Sequence, residues 1–333
     1  GDSRLQTMLL LFLTTLLGAV GEPFLERKMG SSSRARVAIL TAFAPQPCEL
    51  ERGAHNRASC RRRNAVYKRG LSNHKAYAAV HNYAHLGPEQ CAVKPAIAQL
   101  LRLAHPNPKG KVFMLQACIQ AHYPHIEWFL WVDADALFLD LYARVEDRLV
   151  QHLPPNCSMA VVADGDGVQA DQGALRWPDE ASGNPLVFHL GVILARGDAR
   201  GAALLRDLGE RATGPGRFSK TWEQQEFHAM WRDHAHVRRD ACVVRPRQRM
   251  QSFLKTPGEV DVSAYIVHLT MCISQRQGAR NMRHCIAEVP SLLNRTEAME
   301  RSIHLSTQPV AVGRTTKWRC GYGQPSRWRP PGF

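Results

Sequence analysis

The segment that most constrains this chain is Trp128-Phe129-Leu130-Trp131-Val132-Asp133-Ala134-Asp135-Ala136-Leu137-Phe138. An unbroken run of aromatic and apolar side chains fits a strand covered on both faces, as at the centre of an α/β sheet. The run ends abruptly in acid. Two carboxylates one residue apart, leaving a buried strand, enter one cleft if the chain bends there, and such sheets bind ligands at that edge. Hard divalent cations need oxygen ligands, so Asp133 and Asp135 read as a site for Mn²⁺ or Mg²⁺. The plain alternative is a pair of solvated turn aspartates.

The surrounding pattern alternates strands and helices. Residues 36–42 read as a buried first strand, with further strands at 159–163, 186–195 and 264–269. Helices are expected at 73–86, N-capped by Ser72, and at 111–121, 199–210 and 222–231. Residues 45–69, broken by Pro and Gly and holding Arg61-Arg62-Arg63, read as a basic loop, either solvated or facing an anionic donor or a membrane surface. The expected fold class is therefore α/β.

Composition narrows the classes further. With 333 residues, 44% hydrophobic and 22% charged, the chain is neither a disordered polymer nor a multi-span membrane protein. Its 43 Lys and Arg against 29 Asp and Glu give a net charge of +14. Charge alone suggests nucleic acid, but no zinc-finger spacing, RNP-like aromatic motif or basic heptad helix supports it. Residues 5–20, LQTMLLLFLTTLLGAV, carry no charge and fall a little short of the roughly 20 that cross a bilayer. They read as a type II anchor, as a signal peptide cut near Ala19-Val20-Gly21, or as a helix packed on the core. The expected organisation is a leader at 1–28, a short stem at 29–35, a catalytic domain at 36–307 and a Pro/Gly/Arg-rich tail at 308–333. The sequons Asn156-Cys157-Ser158 and Asn294-Arg295-Thr296 are compatible with the secretory pathway. Nine cysteines without a CxxC pair do not suit structural zinc. In an oxidising lumen some would pair, with Cys272 and Cys285 a local candidate.

The stretch KVFMLQACIQAHYPHIEWFLWVDADALFLD, from Lys111 to Asp140, resembles the central motif of the Golgi α-galactosyl-, α-mannosyl- and α-xylosyltransferases of glycosyltransferase family thirty-four. A Lys-led helix, Tyr-Pro, Glu-Trp and Trp-hydrophobic-Asp-x-Asp-Ala follow in the family's order. The resemblance extends collinearly to Asn73-His74-Lys75-Ala76-Tyr77-Ala78, Gly191-Val192-Ile193-Leu194-Ala195-Arg196, Glu223-Gln224-Gln225 and His268-Leu269-Thr270-Met271-Cys272.

This resemblance implies a GT-A fold, a mixed central sheet flanked by helices in a single catalytic domain. It implies retaining transfer of a hexose or pentose from a nucleotide sugar to a glycan acceptor in the Golgi lumen, with the membrane engaged through the N-terminal segment. Asp133, Asp135 and His268 would hold the metal. Thr41 and Phe43 would lie near the nucleotide base, Tyr77 and Lys111 near the ribose or phosphates, and Gln224 and Gln225 at the reaction centre. His189 stands near where the family usually carries Asn, which unsettles donor identity and leaves UDP-sugars ranked above GDP-mannose. Oligomeric state is left open. Competing readings are an inactive relative serving as a binding subunit, and a haloacid-dehalogenase-type phosphatase. The latter fits Asp164-Gly165-Asp166-Gly167, but its Asp-x-Asp should follow the first strand.

Overall fold

A computed structural model describes residues 37–42, 47–50, 53–91, 108–164, 177–178, 185–213, 222–244, 249–253, 264–269 and 294. These residues fall in one compact unit, Ala35–Phe333, whereas the other unit, Gly1–Arg34, lies outside them. The expected leader, stem and tail, Phe43, and Cys272 and Cys285 also lie outside. Among the described residues no helix is long and apolar enough to cross a membrane.

The central sheet is organised around two short buried strands. Strand β1 (Val37–Leu40) lies between β2 (Ala84–Leu86) and β3 (Trp128–Val132), parallel to both. Residues alternate across this pair as the strand period requires. Ala38, Leu40, Phe129 and Trp131 face one core; Val37, Ile39, Trp128, Leu130 and Val132 face the other. Beyond β3 the directions mix. β7 (Pro185–Arg196) is antiparallel to both β3 and β5 (Met159–Asp164), and β5 is parallel to β8 (Ala241–Val244). The two-residue strand β6 (Trp177–Pro178) pairs with the start of β7. A smaller sheet places β10 (Ile266–His268) between β4 (Ala136–Phe138) and β9 (Ser252–Phe253).

Helices cover both faces. One core takes Val112, Met114 and Leu115 of α2 (Pro108–His122), Leu204 and Leu208 of α4 (Ala199–Thr213), and Phe227 of α5 (Trp222–Asp233). The other takes Tyr77 and Ala78 of α1 (Ala54–His81), Val145 of the single-turn α3 (Val145–Arg148), and Phe138, Tyr265 and Ile266. The short α6 (Ala235–Asp240) leads into β8. Disulfides join Cys48 to Cys60, Cys91 to Cys118 and Cys157 to Cys242.

Helix α1 corrects the expected basic loop and the expected N-cap. Ser72 lies mid-helix, and Arg61-Arg62-Arg63 are helical. Arg, Lys and Ala are good helix formers, and Gly70 sits buried where another chain segment presses on the helix. At the other end Asn82 adopts φ 56°, and its N–H bonds to Ala78 and Ala79 carbonyls. Asn tolerates this left-handed geometry, so the chain turns into β2 instead of continuing as helix to residue 86.

Candidate active site

Asp133 follows directly on β3, and its carbonyl accepts the Ala136 N–H at 2.9 Å, closing a four-residue turn into β4. The turn carries both acids into one place. Strand β4 runs antiparallel to β10 with Ala136 opposite His268, so the register alone sets His268 beside Asp135. The Leu269 N–H bonds to the Asp135 carbonyl at 2.8 Å and locks that juxtaposition. His268 Nε2 stands 3.1 Å from Asp135 Oδ1 and 3.8 Å from Asp133 Oδ2. One ligand atom from each of the three residues lies within 4.8 Å of the others.

Two glycines make this approach feasible. A Cβ on Gly191 would stand 2.2 Å from His268 Cε1, and one on Gly70 would stand 2.0 Å from the Ala134 carbonyl oxygen between the two acids. Neither position admits a side chain without displacing the cluster.

The second half of the site rests on a break in β7. Its pairing with β5 shifts between Ala160, opposite Leu194, and Val162, opposite His189. At this irregularity the Gly191 carbonyl accepts the Asp133 N–H at 2.8 Å. The Leu190 carbonyl accepts from Lys111 Nζ at 3.0 Å. Lys111, from α2, also contacts Asp133 at 3.0 Å and Glu223 of α5 at 3.1 Å. An ammonium has three N–H groups, and these three partners use them all. Trp131 Nε1 adds a 2.6 Å hydrogen bond to Asp133 Oδ1.

The electrostatics follow from burial and pairing. Burial would push Asp135 upward, but His268 beside it holds the carboxyl below its ordinary range. Burial would lower His268, but Asp135 and then Asp133 raise it. Lys111 is likewise raised by Asp133 and Glu223 against the effect of its own burial. Glu223 is raised, chiefly by burial, with Lys111 opposing. The cluster thus gathers three carboxylates around one permanent cation and one imidazole. Two carboxylate oxygens and an imidazole nitrogen are a donor set that suits Mn²⁺ or Mg²⁺, so the residues fit the expected ion.

The other expected site residues divide. Thr41 is buried, with its hydroxyl 3.0 Å from the Val132 carbonyl and 2.6 Å from His74 Nδ1, and so serves the join between β1 and β3. Tyr77 is fully buried, stacked on Phe138 with its hydroxyl on the Ala143 carbonyl and on Tyr265, and is a core residue instead of a ribose or phosphate contact. Lys111 is at the site, but its contacts are Asp133, Glu223 and Leu190. Gln224 and Gln225 are half-buried on α5, while the α5 residue in contact with Lys111 is their neighbour Glu223. Helical spacing explains this, since successive residues point about 100° apart. Glu223, Gly70 and Gly191 went unassigned in the sequence. Tyr67 did too: the charges of Asp135 and Asp133 reach it, after burial, in raising its phenol.

The central strand of a mixed sheet thus leads into Asp-x-Asp, and a late His is brought across from a second sheet, the arrangement that the sequence resemblance implies. Residues 33–167 match the galactosyl transferase GMA12/MNN10 family. No curated protein sequence matches the chain. Among solved structures, a glycosyltransferase involved in glycosylation of the major capsid of PBCV-1 is 12% identical, with a TM-score of 0.45 over 80% of this chain and 98% of that one. Mouse xyloside xylosyltransferase 1, in its apo form, is 12% identical, with a TM-score of 0.39 over 72% of this chain and 98% of that one.

Proposed function

We propose that the protein is a metal-dependent, retaining glycosyltransferase that moves a hexose or pentose from a nucleotide sugar to a glycan acceptor. The observation that carries this reading is the convergence of Asp133, Asp135 and His268 within 4.8 Å at the end of a buried strand. Mn²⁺, or Mg²⁺, held there would offset the charge of the departing diphosphate. The protein's own part is to hold that arrangement rigid. Lys111 and Trp131 fix the rotamer of Asp133, and the β4–β10 register fixes Asp135 against His268. Preorganised groups of this kind need no rearrangement as charge develops.

Retention follows if the acceptor hydroxyl attacks on the face from which the diphosphate leaves. Gln224 and Gln225, at the start of α5 next to Glu223, are the side chains assigned to the sugar cation in this reading. UDP-sugars rank above GDP-mannose, because His189 in place of Asn changes the surroundings of the sugar. A luminal, membrane-anchored location in the Golgi accords with the apolar leader and with the three disulfides.

Asp135→Ala, assayed with Mn²⁺ and a panel of nucleotide sugars, tests the proposal. Transfer and donor hydrolysis should fall by roughly 10²-fold or more, as on removing an electrostatic stabiliser. Undiminished turnover would remove the metal role. A thermal shift with Mn²⁺ and UDP, but not GDP, is the expected donor result, and the reverse would overturn the ranking.

A further inference from the structure

Helix α1 contains seven Lys and Arg and no Asp or Glu. Its solvent face has an unusually regular composition. Arg61, Lys68 and Lys75 recur every seventh residue and are exposed, and the other exposed positions of the helix among the described side chains are Ala58, Ala65, Ser72 and Ala79. Seven residues are nearly two whole turns, so the cations form an almost straight line with about 10.5 Å between neighbours. Ala65 and Ser72, both small, are the exposed side chains that stand between them among the described ones. Among the described residues none forms an ion pair with these three. Arg144, Arg206, Arg232 and Arg239, by contrast, each lie against an acid one or two positions away.

We propose that this face of α1 is a docking surface for a linear anionic glycan carrying one carboxylate or sulfate per disaccharide. The inference rests on the glycan-acceptor reading above and names the acceptor's class. Charge complementarity sets the sign, and the regular spacing selects a polymer whose charges recur at a comparable interval along an extended chain. A membrane surface suits the face less well, since Ala and Ser supply no apolar anchor to insert among lipids. The opposite side of the same helix presses Gly70 on the Asp-x-Asp turn. The surface therefore grips the acceptor about one helix diameter from the metal cluster. Grip so far from the reacting hydroxyl acts on acceptor affinity and leaves the donor site alone.

The test uses the whole chain and a fluorescent hyaluronan oligosaccharide, which carries one carboxylate per disaccharide. The triple variant Arg61→Ala, Lys68→Ala, Lys75→Ala should bind it roughly tenfold or more weakly at low salt, with a reduced salt dependence. Its Mn²⁺-dependent thermal shift with UDP should be unchanged. A control triple, Arg206→Ala, Arg232→Ala, Arg238→Ala, removes the same charge elsewhere and should bind within about twofold of wild type. Equal losses in both triples would mean diffuse attraction by net charge and would overturn the proposal. So would loss of binding to phosphatidylserine vesicles with oligosaccharide binding intact. A wild-type chain that binds the oligosaccharide through α1 yet shows no shift with UDP or GDP would support the surface and refute the donor reading.

Discussion

Replacing Gly70 by Ala sets two effects of opposite sign against each other. In a helix interior this change normally stabilises by about 1 kcal/mol, because Gly loses more backbone freedom than Ala on folding. Here the new Cβ would stand 2.0 Å from the Ala134 oxygen and 2.9 Å from its carbonyl carbon, well inside the 3.4 Å at which ordinary contact begins. The obstacle is backbone, so no side-chain rotation relieves it. Either α1 or the turn must move, and the turn is held by the Ala136 to Asp133 and Leu269 to Asp135 hydrogen bonds. Overpacking costs about 1–3 kcal/mol, and a 2.0 Å contact with backbone falls in the upper part of that range, about 2–3 kcal/mol, which exceeds the propensity gain. Gly70→Ala should therefore destabilise by roughly 1–2 kcal/mol, read as a lower urea midpoint at unchanged slope. It should also weaken Mn²⁺-induced stabilisation, because the displaced turn carries Asp133 and Asp135. Ala65→Gly, at an exposed position of the same helix, calibrates the intrinsic term at about 1 kcal/mol. A Gly70→Ala protein more stable than wild type would refute the packing of α1 on the Asp-x-Asp turn.

Three further outcomes are expected. Gly191→Ala puts a methyl 2.2 Å from His268 Cε1, so Mn²⁺ affinity should drop about 10–100-fold in a metal titration; wild-type affinity would place His268 elsewhere. Lys111→Met leaves the buried Glu223 and the partly buried Asp133 without their shared cation and should cost about 3 kcal/mol in denaturant unfolding, with partial recovery on adding Glu223→Gln; an unaltered midpoint would contradict the network. His228 is held down to about 4 from 6.5 by burial, with His189 adding to the effect, while its Nε2 accepts the Phe188 N–H. The unfolded chain then binds the extra proton, so this stability is complete above pH 6.5 and lost as pH falls through about 4, a limb of about 3 kcal/mol at most. His228→Gln should flatten that limb, and an identical acid profile would count against the buried neutral imidazole.

Much of the site was legible because its chemistry is local. The apolar run ending in Asp133 and Asp135 specifies a two-sided buried strand and two hard ligands with no knowledge of the rest of the fold. The apolar runs at 37–40 and 128–132 likewise specify buried strands, whose period of two then sends neighbouring side chains to opposite cores. His268 was reached only through a family resemblance, since nothing near it in the sequence marks it as a ligand.

What the tertiary structure alone decided depends on contacts between distant segments. The antiparallel register of β4 and β10 sets His268 beside Asp135 across 133 residues of chain. Beside the irregularity in β7 the Leu190 carbonyl accepts from Lys111, which also clamps Asp133. Tyr77 and Thr41 changed from donor contacts to core residues for the same reason: a hydroxyl's partner depends on which chain segment folds against it. Composition and periodicity report the burial each residue prefers, and hence strands, helices and ligand types. They carry no information about register or crossing distance, so the roles of Gly70, Gly191 and Glu223 exist only once the segments meet.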